Sequence, residues 1–155
     1  MDQDSAGIRF APPLAYLGVL VAGLVLGRAF GDRGLPLSGH FERAMGAAIA
    51  VIGIGIVLTA ANLFRAAGTD PKPWKAATSL VTDRVYRWTR NPMYLGMAVI
   101  YAGIALWFDS LVALLLLAPL LYYIQQEVIL REERYLEARF GEPYRAYKAS
   151  VRRWL

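Results

Sequence analysis

Two clusters of side chains in this chain have the types that bind charged, flat ligands. The first is the run Arg90-Asn91-Pro92-Met93-Tyr94, with Tyr86 and Trp88 just ahead of it. The second is Glu127, Arg131, Glu132, Glu133, Arg134 and Glu137. Carboxylates accept hydrogen bonds from hydroxyl and ammonium groups, a guanidinium donates to a carboxylate, and tyrosine or tryptophan rings offer faces to cations. At helical spacing Glu127 shares a face with Arg131, and Glu133 with Glu137, so the acidic cluster also suits a plain salt-bridged helix in water. Other chemistries are closed to the chain. It has no cysteine, which excludes disulfides, zinc–thiolate sites and thiol nucleophiles. Its one histidine, His40, falls in a predicted loop away from both clusters, and no metal site is expected.

The elements that must position these clusters are apolar. Hydrophobic residues make up 57% of the 155, too many for an ordinary soluble domain. They gather in four stretches free of Asp, Glu, Lys, Arg and His: Phe10 to Gly27, Ala44 to Phe64, Asn91 to Phe108, and Ser110 to Gln126. As helices these reach roughly 25 to 32 Å, about the thickness of a bilayer's hydrocarbon. The expected architecture is therefore an all-α integral membrane protein with four transmembrane helices, at 10–30, 43–66, 92–108 and 110–130. A long loop, 68–91, precedes the third helix, and a helical extension, 131–155, follows the fourth. Pro12-Pro13 suits a first helical turn. Gly23 and Gly27, with Gly46, Ala50, Gly53 and Ala60, offer small faces for packing within the bundle. Only Asp109-Ser110 separates the last two spans, which must form an antiparallel hairpin. The fourth helix is expected to run unbroken to Phe140, with Gly141 as its cap and Pro143 opening one more helix.

Lys and Arg set the orientation, because positive loops stay cytoplasmic. One lies before the first span, six between Arg65 and Arg90, and seven from Arg131 onward; Arg28, Arg33 and Arg43 fall on the other side. Both termini and the long loop are expected in the cytoplasm, with the protein in the inner or plasma membrane if the chain is bacterial. The first nine residues carry Asp2 and Asp4 against Arg9, unlike a signal leader, so the first span is expected to remain. The basic residues then set topology and touch anionic headgroups rather than nucleic acid. The two clusters lie on the same membrane face and can meet. Pro71 and Pro73 forbid a continuous helix between them, and a polar loop of that length is usually functional.

The run Leu80-Val81-Thr82-Asp83-Arg84-Val85-Tyr86-Arg87-Trp88-Thr89-Arg90-Asn91-Pro92-Met93-Tyr94-Leu95-Gly96 is followed by Glu132-Glu133 and by Phe140-Gly141-Glu142-Pro143-Tyr144-Arg145-Ala146-Tyr147. In this order and spacing it resembles the isoprenylcysteine carboxyl methyltransferase family, which is related to the phospholipid N-methyltransferases. The resemblance covers roughly residues 68 to 155. It implies methyl transfer from S-adenosylmethionine, leaving S-adenosylhomocysteine, to a small amphipathic, isoprenoid or other lipid-like acceptor that enters sideways from the bilayer. Carried over, it implies cofactor contacts from Thr78, Ser79, Leu80, Val81, Tyr86, Asn91, Pro92, Met93, Tyr94 and Glu132. Residue chemistry adds Arg90 as a donor to the cofactor's carboxylate.

This chain departs from the family at two places. Asn91 stands where the carboxyl methyltransferases have histidine. Val128 stands where they have an arginine for the substrate carboxylate, with Arg131 the nearest substitute. Glu127 and Glu133 are the remaining candidates for catalytic groups. A carboxylate acceptor is already ionised, whereas an amine must first lose a proton, and no histidine or cysteine is near to take it. Carboxyl methylation is accordingly favoured. The alternatives are phospholipid amine N-methylation and a non-catalytic lipid-binding scaffold. The spans carry no charge at depth that would mark an ion path.

Overall fold

A computed structural model describes residues 7, 10–32, 34–35, 39–70 and 75–155. Arg9, Arg33 and the proline-containing stretch 71–74 lie outside the described residues. The described chain forms α1 (Pro12–Ala29), α2 (Gly39–Ala66), a short 3-10 turn (Arg84–Arg87), α3 (Pro92–Trp107), α4 (Leu111–Ile124), α5 (Leu130–Phe140) and α6 (Glu142–Ser150). No strand occurs among these residues. Prolines open α1, α3 and α6, where a missing N–H costs nothing.

Glycines decide how the helices pair. α2 packs most extensively on α3, and α1 on α4. A Cβ on Gly103 would stand 2.5 Å from the Ala50 nitrogen and 2.7 Å from the Gly46 oxygen; one on Gly53 would stand 2.7 Å from the Ile100 nitrogen. Between α1 and α4, a Cβ on Gly23 would lie 2.7 Å from the Ala113 Cα. The Gly23 and Gly27 pair thus works inside the bundle. In lipid, where burying apolar surface gives no driving force, such close backbone approach is a main source of helix association. The outward faces carry Leu14, Leu17, Val51, Ile52 and Leu115, all exposed.

The turn between α3 and α4 is held from two directions. Asp109 takes a positive φ of 51°, and the Ser110 hydroxyl caps α4 by accepting from the Ala113 N–H at 3.2 Å. Asp32, past the end of α1, accepts from the Val112 N–H at 2.9 Å and the Ser110 hydroxyl at 3.0 Å. The Val112 bond is the chief reason its carboxyl lies below the usual range.

The fourth apolar run does not continue as one regular helix. Residues Gln125–Ile129 form a π turn between α4 and α5, where the sequence alone predicts uninterrupted α-helix. The extra residue lets Val128 and Ile129, adjacent in sequence, both reach 0% exposure against the core. Counted through this turn, Leu111–Phe140 spans 30 residues. That is about 45 Å, against the roughly 30 Å of hydrocarbon in a bilayer. The excess falls where Arg131, Glu132, Glu133, Arg134, Glu137 and Arg139 begin, so this charged portion projects beyond the apolar slab. Gly141, at φ 60° and ψ −127°, then reverses the chain into α6.

Among the described residues, three helices are long and apolar enough to cross a membrane: Pro12–Ala29, Gly39–Ala66 and Leu111–Phe140. The third predicted span is shorter, the 16 residues Pro92–Trp107.

Candidate functional site

The loop after α2 folds back on the helix end that it leaves. Gly68 adopts a φ of 68°, and the Thr69 N–H donates to the Phe64 carbonyl at 3.0 Å. The Thr78 and Ser79 hydroxyls donate to the carbonyls of Gly68 and Ala67 at 3.1 and 2.9 Å, while the Thr78 N–H donates to the Thr69 hydroxyl. From the other side α5 takes hold of Ala77. The Ala77 N–H donates to the Tyr135 hydroxyl at 3.0 Å, and Arg139 Nε donates to the Ala77 carbonyl at 2.6 Å. The 3-10 turn is fixed by α6, since the Tyr147 hydroxyl donates to the Tyr86 carbonyl at 2.8 Å.

Between loop, α3, α5 and α6 lies a cleft of about 840 Å³, open solvent at its mouth included. Of the residues singled out in the sequence, Ser79, Leu80, Val81, Tyr86, Arg90, Asn91, Pro92, Met93, Tyr94, Glu132 and Glu133 line it. The proline-broken segment and the acidic helix therefore do meet, and the Tyr94 hydroxyl donates to Glu132 Oε1 at 2.9 Å.

Burial makes this cleft chemically unusual. It pushes the Glu132 carboxyl from 4.5 up to about 7; the Tyr94 hydrogen bond pulls the other way, and the neighbouring Glu133 charge adds to the rise. Burial likewise raises the Tyr86, Tyr144 and Tyr147 phenols, which stay protonated. Arg90 has a side chain only 9% exposed and meets Glu133 through Nη2 at 3.2 Å. Its Nε and Nη1, and the Tyr86 hydroxyl, are buried without a hydrogen-bond partner. Buried donors left without partners are costly, and their gathering at one cleft fits a ligand rich in acceptors.

Three predicted residues do not line the cleft. Thr78 braces the loop instead. Glu127 and Arg131 pair with each other on the helix surface, with side chains 41% and 44% exposed. This is the solvated salt bridge that their spacing allowed, with Glu127 inside the π turn and Arg131 just after it. Glu133 lines the cleft but is no free base: it is buried and held by both Arg90 and Arg153. Asn91 donates through its amide to the Arg153 carbonyl at 2.9 Å, so it holds the C-terminal tail. Sequence reasoning passed over Phe64, Asp70, Lys75, Tyr135, Leu136, Tyr144 and Tyr147, which also line the space. Tyr144 and Tyr147 lie in a run already noticed, and the apolar i, i+3 spacing of an otherwise polar helix was the available signal.

Comparison with known proteins gives a consistent picture. The profile of the phospholipid methyltransferase family matches residues 41–143. A stretch of 63 residues is 44% identical to an uncharacterized protein of Haemophilus influenzae, covering 41% of this chain and all of that one. Another of 72 residues is 33% identical to protein-S-isoprenylcysteine O-methyltransferase of Schizosaccharomyces pombe. That match covers 46% of this chain but 30% of the yeast enzyme, so the chain spans under a third of that relative. No solved structure matches.

Proposed function

The chain belongs to the phospholipid methyltransferase family of membrane methyltransferases, and on that footing we propose that it methylates a small amphipathic or lipid-like acceptor, using S-adenosylmethionine. The observation that carries this reading is the cleft in which Tyr94 holds Glu132 beside the buried, part-unpaired Arg90. Those donors and that carboxylate fit the cofactor's mixed charges. Arg90 would hold its carboxylate, Glu132 its ammonium or ribose hydroxyls, and Tyr86 a further acceptor, with Ser79 to Val81 and Pro92 to Tyr94 packed around them. When bound, the cofactor supplies an activated methyl group. The protein's part is to orient the acceptor and keep water out, since alignment in a dry site supplies much of the rate in such transfers.

The integral membrane setting follows from family and apolar helices together. We read Pro92–Trp107 as a fourth, short span, with both termini and the cleft on the cytoplasmic side. The excess of Lys and Arg on that side supports this orientation. The acceptor would reach the cleft from the bilayer.

Carboxyl methylation remains the favoured reaction, on the yeast relative's name and the absence of histidine near the cleft. One observation favours the amine alternative: a Glu132 carboxyl near 7 is able to take a proton from an ammonium at neutral pH. Incubating lipid extracts with methyl-labelled S-adenosylmethionine tests both. Label that alkali releases as volatile methanol indicates a methyl ester, and label that stays non-volatile an N-methyl group. If S-adenosylhomocysteine fails to bind in nanodiscs and no lipid takes label, the scaffold alternative replaces the enzyme.

A further inference from the structure

The last residues of the chain close on the cleft in a way that the methyl-transfer reading does not use. The tail runs beside residues 89–91. The Arg90 N–H donates to the Arg152 carbonyl at 3.0 Å, and the Thr89 hydroxyl and Asn91 amide both donate to the Arg153 carbonyl, at 3.0 and 2.9 Å. The Trp154 indole N–H donates to Gln125 in the π turn at 2.8 Å. Fixed at these points, Arg153 reaches Glu133 as a fork, Nε to Oε1 at 2.8 Å and Nη2 to Oε2 at 2.9 Å. Both oxygens of Glu133 are then occupied by short, charge-assisted bonds, and Arg90 is left with one longer contact of 3.2 Å.

Arg90 and Glu133 are buried, with side chains 9% and 6% exposed, while Arg153 is 31% exposed. Glu133 carries one negative charge, and Arg90 and Arg153 carry one positive charge each. Within this trio the guanidinium left unanswered is that of Arg90, whose Nε and Nη1 have no partner. A buried guanidinium in that condition asks for an anion.

We infer that Arg153 is a positioning residue: by occupying both oxygens of Glu133, it keeps Arg90 available to the carboxylate of the ligand in the cleft. Without Arg153, the nearest cation for Glu133 is Arg90, which turns its free edge toward Glu133 and away from the ligand. The inference rests on the cofactor reading, because it assigns that carboxylate to the amino-acid end of the cofactor.

The test compares two ligands that share the nucleoside thioether. S-adenosylhomocysteine carries the amino-acid carboxylate and 5′-methylthioadenosine lacks it. Binding of both is measured in nanodiscs for the wild type, Arg153→Gln and Arg153→Lys. In Arg153→Gln, S-adenosylhomocysteine is expected to bind about tenfold more weakly, the effect of losing one charged hydrogen bond, while 5′-methylthioadenosine changes less than about twofold. Arg153→Lys keeps the charge and one bond to Glu133, so it should recover part of the loss. Equal weakening of both ligands means that the tail is merely structural and overturns the inference; so does no change in either. If Arg153→Gln does not fold, Arg153→Lys carries the comparison, with a severalfold loss confined to S-adenosylhomocysteine expected and an equal loss overturning it. A wild type that binds neither ligand refutes the cofactor reading itself.

Discussion

Lowering the pH from about 8 to about 6 is expected to weaken S-adenosylhomocysteine binding about tenfold, through Glu132. Ionised, this carboxyl accepts from the ligand's ammonium or hydroxyls; protonated, it loses most of that capacity. Burial brings its titration to about 7. Roughly nine-tenths of the molecules then carry the anion at pH 8 and about one-tenth at pH 6, which is the tenfold factor. An ordinary glutamate, titrating at 4.5, would change by only about 3% over the same interval. Calorimetric titration in nanodiscs at half-unit steps reads the midpoint directly. Tyr94 sharpens the test, because its hydrogen bond is what pulls the carboxyl down. Tyr94→Phe should move the midpoint up by about one pH unit, the worth of a hydrogen bond to a charged acceptor. Constant affinity from pH 6 to 8, or a Tyr94→Phe midpoint below that of the wild type, would refute this account of Glu132.

Other outcomes follow from the same structure. A carboxyl raised by folding contributes stability below its unfolded value that is lost as pH rises toward its folded value, here from 4.5 to about 7. Glu132→Gln should therefore stabilise the ligand-free protein at pH 8 by at most about 3 kcal/mol, seen as a higher thermal midpoint, lose the advantage near pH 4.5, and bind ligand poorly. Gly103→Ala should destabilise the protein by about 1 to 3 kcal/mol in detergent melts, because the atoms in its way belong to the α2 backbone and cannot rotate aside. Glu127→Gln should leave ligand affinity within about twofold and stability within about 0.5 kcal/mol, as an exposed ion pair outside the cleft contributes little. The lack of native cysteine lets single cysteines at Ala149 and Ala29 report topology, with the first expected to react with impermeant thiol reagents from the cytoplasmic side and the second from the opposite side.

Much of the bundle was legible because apolar run length is a direct reading of helix length in lipid. The bounds of α1 and α3 follow from Pro12 and Pro92, and the α5 end from Gly141. The meeting of Tyr94 with Glu132 was also legible, from charge placement and the hairpin together. What escaped was anything decided by register. A π turn leaves no mark in composition, and the Glu127–Arg131 pair, offered for catalysis on spacing and resemblance, is an exposed ion pair outside the cleft. The capture of Glu133 by Arg153 joins residues 20 apart across the Gly141 reversal. No periodicity in the sequence reports where such a tail comes to rest.

The π turn at Gln125–Ile129 separates two jobs that a uniform helix would force into one. A regular helix turns about 100° per residue, so its membrane half and its charged half could not be oriented independently. With one surplus residue between them, the upstream half keeps its seam against α1 while the downstream half is indexed to aim Glu132 inward. Removing any one residue of 125–129 would swing the carboxylate about a quarter of a circle, and adding one would do the reverse. The segment is thus a gauge in which the number of residues fixes the angle between the two halves.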